Sequence, residues 1–228
     1  MLDCQMLNCQ MLNMDDAAAL LRAGRVVVFP TETFFGVGCL ATHAGAVDEV
    51  YRVKRRAHRL ALPVIVGHVG QLAQVAAPMG PVAEDLARHF WPGPLSILLP
   101  AAPGVPVPLT GGTGRVAVRL TPHPVARELC LLAGGPLVAS SANISGRPAV
   151  TRAADLDPEL LAEVPGVLDL PPAPPGGLPS TLVEVLDEGG GTGGGTGDGV
   201  GGAAPRLLVL RAGAVSAQAL RDAGYVVE

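Results

Sequence analysis

The sequence contains few charged and few aromatic residues. Charged side chains make up 16% of the 228 residues and aromatic side chains 3%, whereas apolar residues make up 49%. A core for one domain of this length must therefore be built mainly from Val, Leu and Ala. The net charge of -4 argues against a protein that coats nucleic acid non-specifically, because such proteins need basic surfaces.

Long apolar runs and closely spaced cysteines are also missing. No apolar stretch reaches the roughly 20 residues that span a bilayer, which predicts a soluble protein with no membrane partner. The N-terminus lacks the basic segment of a secretory signal. The cysteines at positions 4, 9, 39 and 130 form no C-x-x-C pair. We therefore expect a reduced, cytoplasmic protein without a disulfide framework or a zinc site.

Several common catalytic motifs are absent, among them the Walker-A loop, H-E-x-x-H and G-x-S-x-G. A nucleotide, if one binds, must therefore use another scaffold. Two segments have low-complexity composition: residues 1–14 carry a short tandem repeat, and residues 189–202 are mostly Gly. We interpret 1–14 as a disordered extension, 15–228 as one domain, and 189–202 as a flexible surface loop within it.

Apolar periodicity predicts alternating helices and strands. Strands are expected at 26–29, 64–66, 96–99, 116–120, 137–139, 167–170, 181–186, 206–210 and 225–227. Helices are expected at 15–23, 45–52, 81–90 and 122–132, at a short segment beginning at 157, and at 216–223. This alternation predicts an α/β fold with a mixed sheet flanked by helices.

Small polar residues follow two of these strands. Pro30–Thr33 comes after the first strand, and Ser140–Gly146 after the strand at 137–139. Ligands of α/β proteins bind beyond the carboxyl ends of such strands, although Ser, Thr and Asn also serve there as ordinary caps. The basic run Lys54–Arg56 lies between the two segments and is either a solvated helix end or a phosphate site. Together these features suggest a small anionic substrate.

Two further features of the charged residues bear on a site. Arg115 and Arg119 lie four residues apart on one predicted strand, so both should face the same side and share an anion. Glu32 could serve as a general base, although a lone carboxylate is weak evidence.

Taken together, these motifs resemble those of the YrdC-like family of threonylcarbamoyl-AMP synthases. The family pattern P-T-E-T-x-[YF]-G-[LV]-G is similar to residues 30–38, its K-x-R to Lys54–Arg56, and its S-x-N to Ser141–Asn143. Further similar segments, in the family's order, are Trp-Pro-Gly-Pro-Leu at 91–95, Val-Ala-Val-Arg at 116–119, Pro-Ser-Thr at 179–181 and Leu-Arg-Ala-Gly-Ala at 210–214. The resemblance covers about residues 15 to 225 and is to the short, single-domain form.

The resemblance implies a twisted mixed sheet around a cationic cavity. It implies that the protein forms threonylcarbamoyl adenylate from L-threonine, bicarbonate or CO₂, and ATP with Mg²⁺, releasing pyrophosphate. A downstream transferase would then use this product to modify tRNA. The main alternative is a non-catalytic domain of the same fold that binds double-stranded RNA or tRNA, which the low overall charge disfavours. A carbamoyl-transfer maturation domain is a second alternative.

The resemblance also implies the site residues. L-threonine would be held by Thr33, His68, Arg119, the backbone of Ala139 and Ser180. ATP would be held by Lys54, Arg56, Arg115, Ser141, Asn143, Ala149 and Arg211. Among these, Lys54, Arg56, Ser141 and Asn143 would be catalytic. The chain departs from the family after Arg56, where the spacing to Pro63 is two residues longer than usual.

Overall fold

The structure is a computed structural model that describes residues 9–186 and 204–228. In these residues the strands are β1 (Gln10–Met11), β2 (Val27–Pro30), β3 (Phe35–Gly38), β4 (Val64–Val66), β5 (Leu95–Pro100), β6 (Arg115–Leu120), β7 (Leu137–Val138), β8 (Ser140–Ser141), β9 (Gly166–Val167), β10 (Thr181–Val185), β11 (Arg206–Arg211) and β12 (Val226–Val227). The α-helices are α1 (Met14–Arg22), α2 (Ala44–Lys54), α3 (Pro81–Phe90), α4 (Val107–Thr110), α5 (Pro124–Ala133), α6 (Pro158–Leu161) and α7 (Ala217–Asp222). Short 3₁₀ helices occur at Val69–Gln74 and Ala153–Asp155.

The strands form two mixed sheets rather than the one that the sequence predicts. The five-stranded sheet has the order β1-β9-β2-β3-β8, and the seven-stranded sheet has the order β12-β11-β10-β5-β6-β4-β7. Each contains both parallel and antiparallel pairs; for example, β2 is parallel to β9 and antiparallel to β3. The predicted α/β class with a mixed sheet and flanking helices is confirmed, with the strands divided between two sheets.

One stretch of chain links the two sheets. β7 pairs with β4 in the seven-stranded sheet, and β8, two residues later, pairs with β3 in the five-stranded sheet. The residue between them, Ala139, donates its backbone N–H to the carbonyl of Pro63 over 2.9 Å. The predicted strand at 137–139 therefore continues across the gap between the sheets, and this carries the polar residues after it to the junction.

Strand β2 of one sheet and strand β4 of the other are buried along their whole length, as is typical of continuous apolar runs. Val28 and Val64 belong to a large cluster that also contains residues of β5, β6 and α2. Their neighbours Phe29 and Ile65 point the other way, into a second cluster with α1 and α5. Helices α1 and α5 thus pack on one face of these strands, whereas α2 packs with β5 and β6 on the other face.

Residues 10–13 already take part in the fold, which corrects the predicted boundary at residue 14 for this part of the chain. Gln10 donates its backbone N–H to Pro165 over 3.0 Å, and Asn13 caps α1 by accepting from the N–H of Asp16. Asp15 and Asp16 lie in the first turn of this helix. The rest of the predicted extension, 1–8, and the predicted loop at 189–202 lie outside the described residues. In the described ranges, no helix is long and apolar enough to cross a membrane.

Strand β3 was not predicted, because two of its four residues are glycines and glycine disfavours strands. The structure shows why glycine is needed at Gly38. A Cβ atom there would lie 1.7 Å from the carbonyl oxygen of Val138. The close approach of two backbones therefore overrides the local preference.

Candidate active site

A cavity of about 120 Å³ lies where the two sheets meet. Residues from the turn after β2 and from β3 and β8 contribute one side, and residues of β6, β11 and the segment before β10 contribute the other. Its lining residues are Thr31, Thr33, Phe34, Phe35, Gly36, Arg56, Pro63, Arg119, Ala139, Ser140, Ser141, Pro179, Ser180 and Arg211. The two strand ends that the sequence singled out therefore do converge.

The turn after β2 places threonine hydroxyls at the cavity. Thr31 donates its hydroxyl to the carbonyl of Phe34 over 2.7 Å and accepts from the backbone N–H of Thr33 over 3.3 Å. The two threonine hydroxyl oxygens lie 3.3 Å apart, and both residues are buried. Since Thr31 has only one hydroxyl proton, Thr33 is the donor between them. The oxygen of Thr33 therefore keeps a free lone pair for a ligand.

Three arginines line the cavity, and each is anchored by part of its guanidinium. Arg56 donates Nε to the carbonyl of Leu60 over 3.3 Å and Nη2 to that of Ala61 over 3.1 Å. Arg211 donates Nε and Nη2 to the carbonyl of Ser180 over 3.0 and 2.8 Å. The anchoring restricts both side chains and so pre-organises their charges at the cavity.

The cavity carries excess positive charge. Burial and the nearby charges of Arg119 and Arg56 lower the pKa of Arg211, and burial lowers the pKa of Arg56. Arginine remains protonated in proteins, so this repulsion is not relieved by loss of a proton. The described residues that line the cavity include no carboxylate. An anionic ligand is the natural partner of such a site.

Glu32 lies behind the cavity and binds Arg119. The Nε of Arg119 donates to one carboxylate oxygen over 2.5 Å, and the hydroxyl of Thr121 donates to the other over 2.8 Å. Burial raises the pKa of Glu32. The charge of Arg119 and the hydrogen bonds from the backbone, Thr121 and Arg119 lower this pKa by more, so the net shift is downward. A carboxylate held in this way is a poor proton acceptor, which argues against the predicted general base.

Lys54 and Asn143 lie beside the cavity rather than in its lining. The buried ammonium of Lys54 donates to the carbonyls of Ser141 and Asn143, the latter over 2.9 Å, and to the side-chain oxygen of Asn143 over 3.3 Å. Ser141 in turn donates its hydroxyl to that same oxygen over 2.5 Å. Burial and the charge of Arg56 lower the pKa of Lys54 to about 7. Lys54 therefore ties the end of α2 to the segment after β8.

Ser180 and Ala139 complete the predicted threonine-binding residues at the cavity. The hydroxyl of Ser180 lies 3.2 Å from that of Ser96 and accepts from Nη2 of Arg211 over 2.9 Å. Ala139 lines the cavity at the crossing between the sheets. Seven predicted site residues thus line one cavity, namely Thr33, Arg56, Arg119, Ala139, Ser141, Ser180 and Arg211.

Besides Lys54 and Asn143, three further predicted residues lie outside the cavity lining. Arg115 pairs with Glu184 and donates Nη2 to the carbonyl of Leu98 over 3.2 Å. The prediction that Arg115 and Arg119 share an anion is therefore wrong, because each arginine has a carboxylate of its own. His68 is exposed, and its Nδ1 accepts from the N–H of Gly70 over 3.0 Å as a helix cap. Ala149 is partly buried in the segment that precedes the contact of Val150 with β3.

Sequence reasoning missed some of the lining. Ser140 and Thr31 lie within segments that were noted, but neither was given a role. Phe34, Phe35, Gly36, Pro63 and Pro179 were also missed, and all are apolar or small. Each lies close in the sequence to a predicted site residue, and this proximity could have indicated a place in the lining. Their residue types alone do not indicate a binding role.

Comparison with known proteins identifies the family. The model of the Sua5/YciO/YrdC family, described as "Telomere recombination", matches residues 19–191. A threonylcarbamoyl-AMP synthase of Bacillus subtilis is 38% identical over 174 residues, which are 75% of this chain and 50% of that protein. The enzyme of that name from Stenotrophomonas maltophilia is 40% identical over 158 residues, which are 68% of this chain and 85% of that protein.

Solved structures agree with this result. The structure of Pyrococcus abyssi Sua5 complexed with L-threonine has a TM-score of 0.78 and 29% identity, and the match covers 94% of this chain and 58% of that one. The present chain thus spans about half of the Bacillus relative and somewhat more of Sua5. Escherichia coli YciO, at 18% identity and a TM-score of 0.69, shares the fold. The chain belongs to the Sua5/YciO/YrdC family.

Proposed function

We propose that this protein is a threonylcarbamoyl-AMP synthase. The observation that carries the proposal is the cavity, where three anchored arginines face threonine and serine hydroxyls with no carboxylate in the described lining. Membership of the family and the names of its curated relatives support the same activity. The alternative of a non-catalytic RNA-binding domain is not favoured, because those relatives are named as the enzyme and the net charge is -4.

L-threonine would occupy the cavity itself. A volume of about 120 Å³ is small beside the ~300–1,000 Å³ of pockets for drug-sized ligands, so it suits an amino acid better than a whole nucleotide. Thr33 and Ser180 offer hydroxyls, and Arg119 offers a guanidinium to the substrate carboxylate.

ATP would lie along the adjoining cationic side. Arg56 and Arg211, which are anchored by neutral carbonyls, keep their full charge for phosphate oxygens. Ser141 offers a hydroxyl at the same wall, with Asn143 behind it. The described lining has no carboxylate for a metal, so Mg²⁺ would be held mainly by the phosphates of ATP and by water. Bound there, it would neutralise phosphate charge.

The chemistry needs positioning more than a covalent nucleophile. The neutral amine of threonine adds to CO₂ and loses a proton, which gives a carbamate. A carbamate oxygen then attacks the α-phosphorus of ATP, and the bond from this phosphorus to the bridging oxygen breaks. Pyrophosphate leaves with the electron pair of that bond. Arg56 and Arg211 would stabilise the negative charge that develops on the leaving group.

Threonine-dependent release of pyrophosphate tests the proposal. The purified protein is incubated with ATP, Mg²⁺ and bicarbonate, with L-threonine, L-serine or no amino acid. We expect release with L-threonine well above that in the other two reactions. Equal release in all three, or none from a folded protein, would contradict it.

The setting of the reaction belongs to the same proposal. The adenylate would pass to a transferase that modifies tRNA, and we propose that the protein acts in the cytoplasm. One buried core cluster contains residues as far apart in the chain as Cys9 and Tyr225, which supports one domain for the described residues.

A further inference from the structure

Arg119 has two unused nitrogens at the cavity. Its side chain is 4% exposed, and its Nε is engaged by Glu32. Among the described residues, no hydrogen bond engages Nη1 or Nη2, although the residue lines the cavity. A buried guanidinium with free N–H groups needs an acceptor, and two parallel N–H groups fit a carboxylate.

Glu32 fixes the direction in which these nitrogens point. Both of its carboxylate oxygens are bound, one by Arg119 and the other by Thr121. Thr121 is fully buried, and its own oxygen accepts from the backbone N–H of His123 over 3.2 Å. The hydroxyl of Thr121 therefore cannot turn away from Glu32 without losing this arrangement. A continuous chain of hydrogen bonds runs from the backbone at His123 to the guanidinium.

The pairing also separates Arg119 from the other two arginines. Arg56 and Arg211 are anchored by carbonyls and keep a full positive charge, whereas the charge of Arg119 is compensated by a carboxylate. The carboxylate of Glu32 weakens the general attraction of Arg119 for anions. It leaves Nη1 and Nη2 of Arg119 as two donors with a fixed direction. Such a donor pair suits one planar carboxylate at a fixed place rather than a mobile triphosphate.

We infer that Glu32 is a positioning residue that, through Arg119, selects the carboxylate of the amino-acid substrate. The inference rests on the proposed function, because it takes L-threonine as the ligand. Glu32 touches Arg119 and Thr121 and is not in the cavity lining. It therefore acts on the substrate only through the orientation of the guanidinium.

Binding of L-threonine and of L-threoninamide, measured by calorimetry without ATP, tests this inference. L-threoninamide lacks the carboxylate that Arg119 would bind, so the wild type should have a higher affinity for L-threonine than for the amide. Glu32→Gln keeps the shape of the side chain but removes its charge. We expect it to bind L-threonine about tenfold more weakly, which corresponds to one charge-assisted hydrogen bond. Its preference for the acid over the amide should shrink by a similar factor, whereas the KM for ATP should stay unchanged.

The control is Glu163→Gln, which removes a carboxylate paired with Arg52 at the exposed surface and should behave as the wild type. Thr121→Val removes the hydroxyl that donates to the same carboxylate and that accepts from the N–H of His123, and it should weaken L-threonine binding several-fold. It carries the test if Glu32→Gln does not fold. An unchanged preference in a folded variant would overturn the inference and leave the proposed function intact. A wild type that binds no L-threonine would overturn both.

Discussion

At the residue scale, the site depends on arginines whose guanidinium groups are anchored by hydrogen bonds to other residues of the protein. Arg56 illustrates this, because two of its nitrogens bind carbonyls of its own loop while the side chain still reaches the cavity lining. Both carbonyls, those of Leu60 and Ala61, lie in the segment between Arg56 and Pro63. This segment therefore anchors the arginine.

Replacement of Arg56 by Ala tests its role in catalysis. Pyrophosphate release by Arg56→Ala should fall by at least about 100-fold, the usual cost of losing one stabilising donor in a transition state. The loss of two partly exposed hydrogen bonds should lower the free energy of unfolding by only about 1 kcal/mol. Arg59→Ala, at an exposed position in the same loop, is the matched control and should keep full activity. A folded Arg56→Ala protein with full activity would refute the assignment.

The residue types of the site could be predicted from the sequence, but their partners could not. Arg119, Arg211, Thr33 and Ser180 were assigned by motif and do line one cavity. The ion pair of Arg115 with Glu184 joins positions 69 residues apart, so no local pattern could reveal it. For the same reason Glu32 was interpreted as a base, since its contact with Arg119 spans 87 residues.

At the element scale, Lys54 connects α2 to the segment after β8. Lys54 is the single lysine in a sequence of 228 residues, and its ammonium donates to oxygens of Ser141 and Asn143. This lysine thus holds in place the residues that would contact ATP.

The pH dependence of stability tests the burial of Lys54. Burial lowers the folded pKa of Lys54 to about 7, below its usual value of 10.5, so above pH 7 the unfolded chain binds a proton that the folded chain has lost. The folded protein should therefore gain stability relative to Lys54→Met as the pH rises from 7 to 10, on the order of 2 to 4 kcal/mol. Below pH 7 the difference should be constant. Denaturant unfolding of both proteins at several pH values measures this change in stability. An NMR titration that places the pKa of the single lysine amine near 10.5 would contradict the expected shift.

Glycine at position 38 allows β3 to pass close to β7. Gly38→Ala should lower the free energy of unfolding by more than about 3 kcal/mol, because the new Cβ would overlap the backbone oxygen of Val138. Gly45→Ala is the control, since its Cβ would lie 3.8 Å from His43 within α2. That change should be neutral or stabilise the protein by up to about 1 kcal/mol. Equal unfolding midpoints for the two variants would show that the strands can separate at no cost.

Strong periodicity made several elements predictable. The helix at 81–90 and the strand at 64–66 have the predicted bounds, because a regular apolar pattern agrees there with local propensity. Strand β3 and helix α4 escaped prediction. Two of the four residues of β3 are glycines, and α4 lies in a segment rich in Pro and Gly. Tertiary contacts therefore determine whether these two elements form. The division of the strands into two sheets likewise depends on the crossing at Ala139.

At the scale of the whole molecule, the two sheets together form the site. Arg119 and Arg211 come from the seven-stranded sheet, whereas the segment at Thr33 and the residues of β8 belong to the five-stranded side. The ion pair between Arg119 and Glu32 spans the junction. An amino acid bound at this junction would contact both sheets. The junction would thereby bring threonine close to ATP on the adjoining side of the cavity.

Formation of the adenylate itself tests the proposed synthase activity most directly. The protein is supplied with radiolabelled bicarbonate, ATP and Mg²⁺, with or without L-threonine, and the nucleotide products are separated and identified by mass. We expect a labelled adduct that contains carbonate carbon, threonine and AMP, formed together with one pyrophosphate. Absence of such an adduct, from folded protein that binds both L-threonine and ATP, would contradict it.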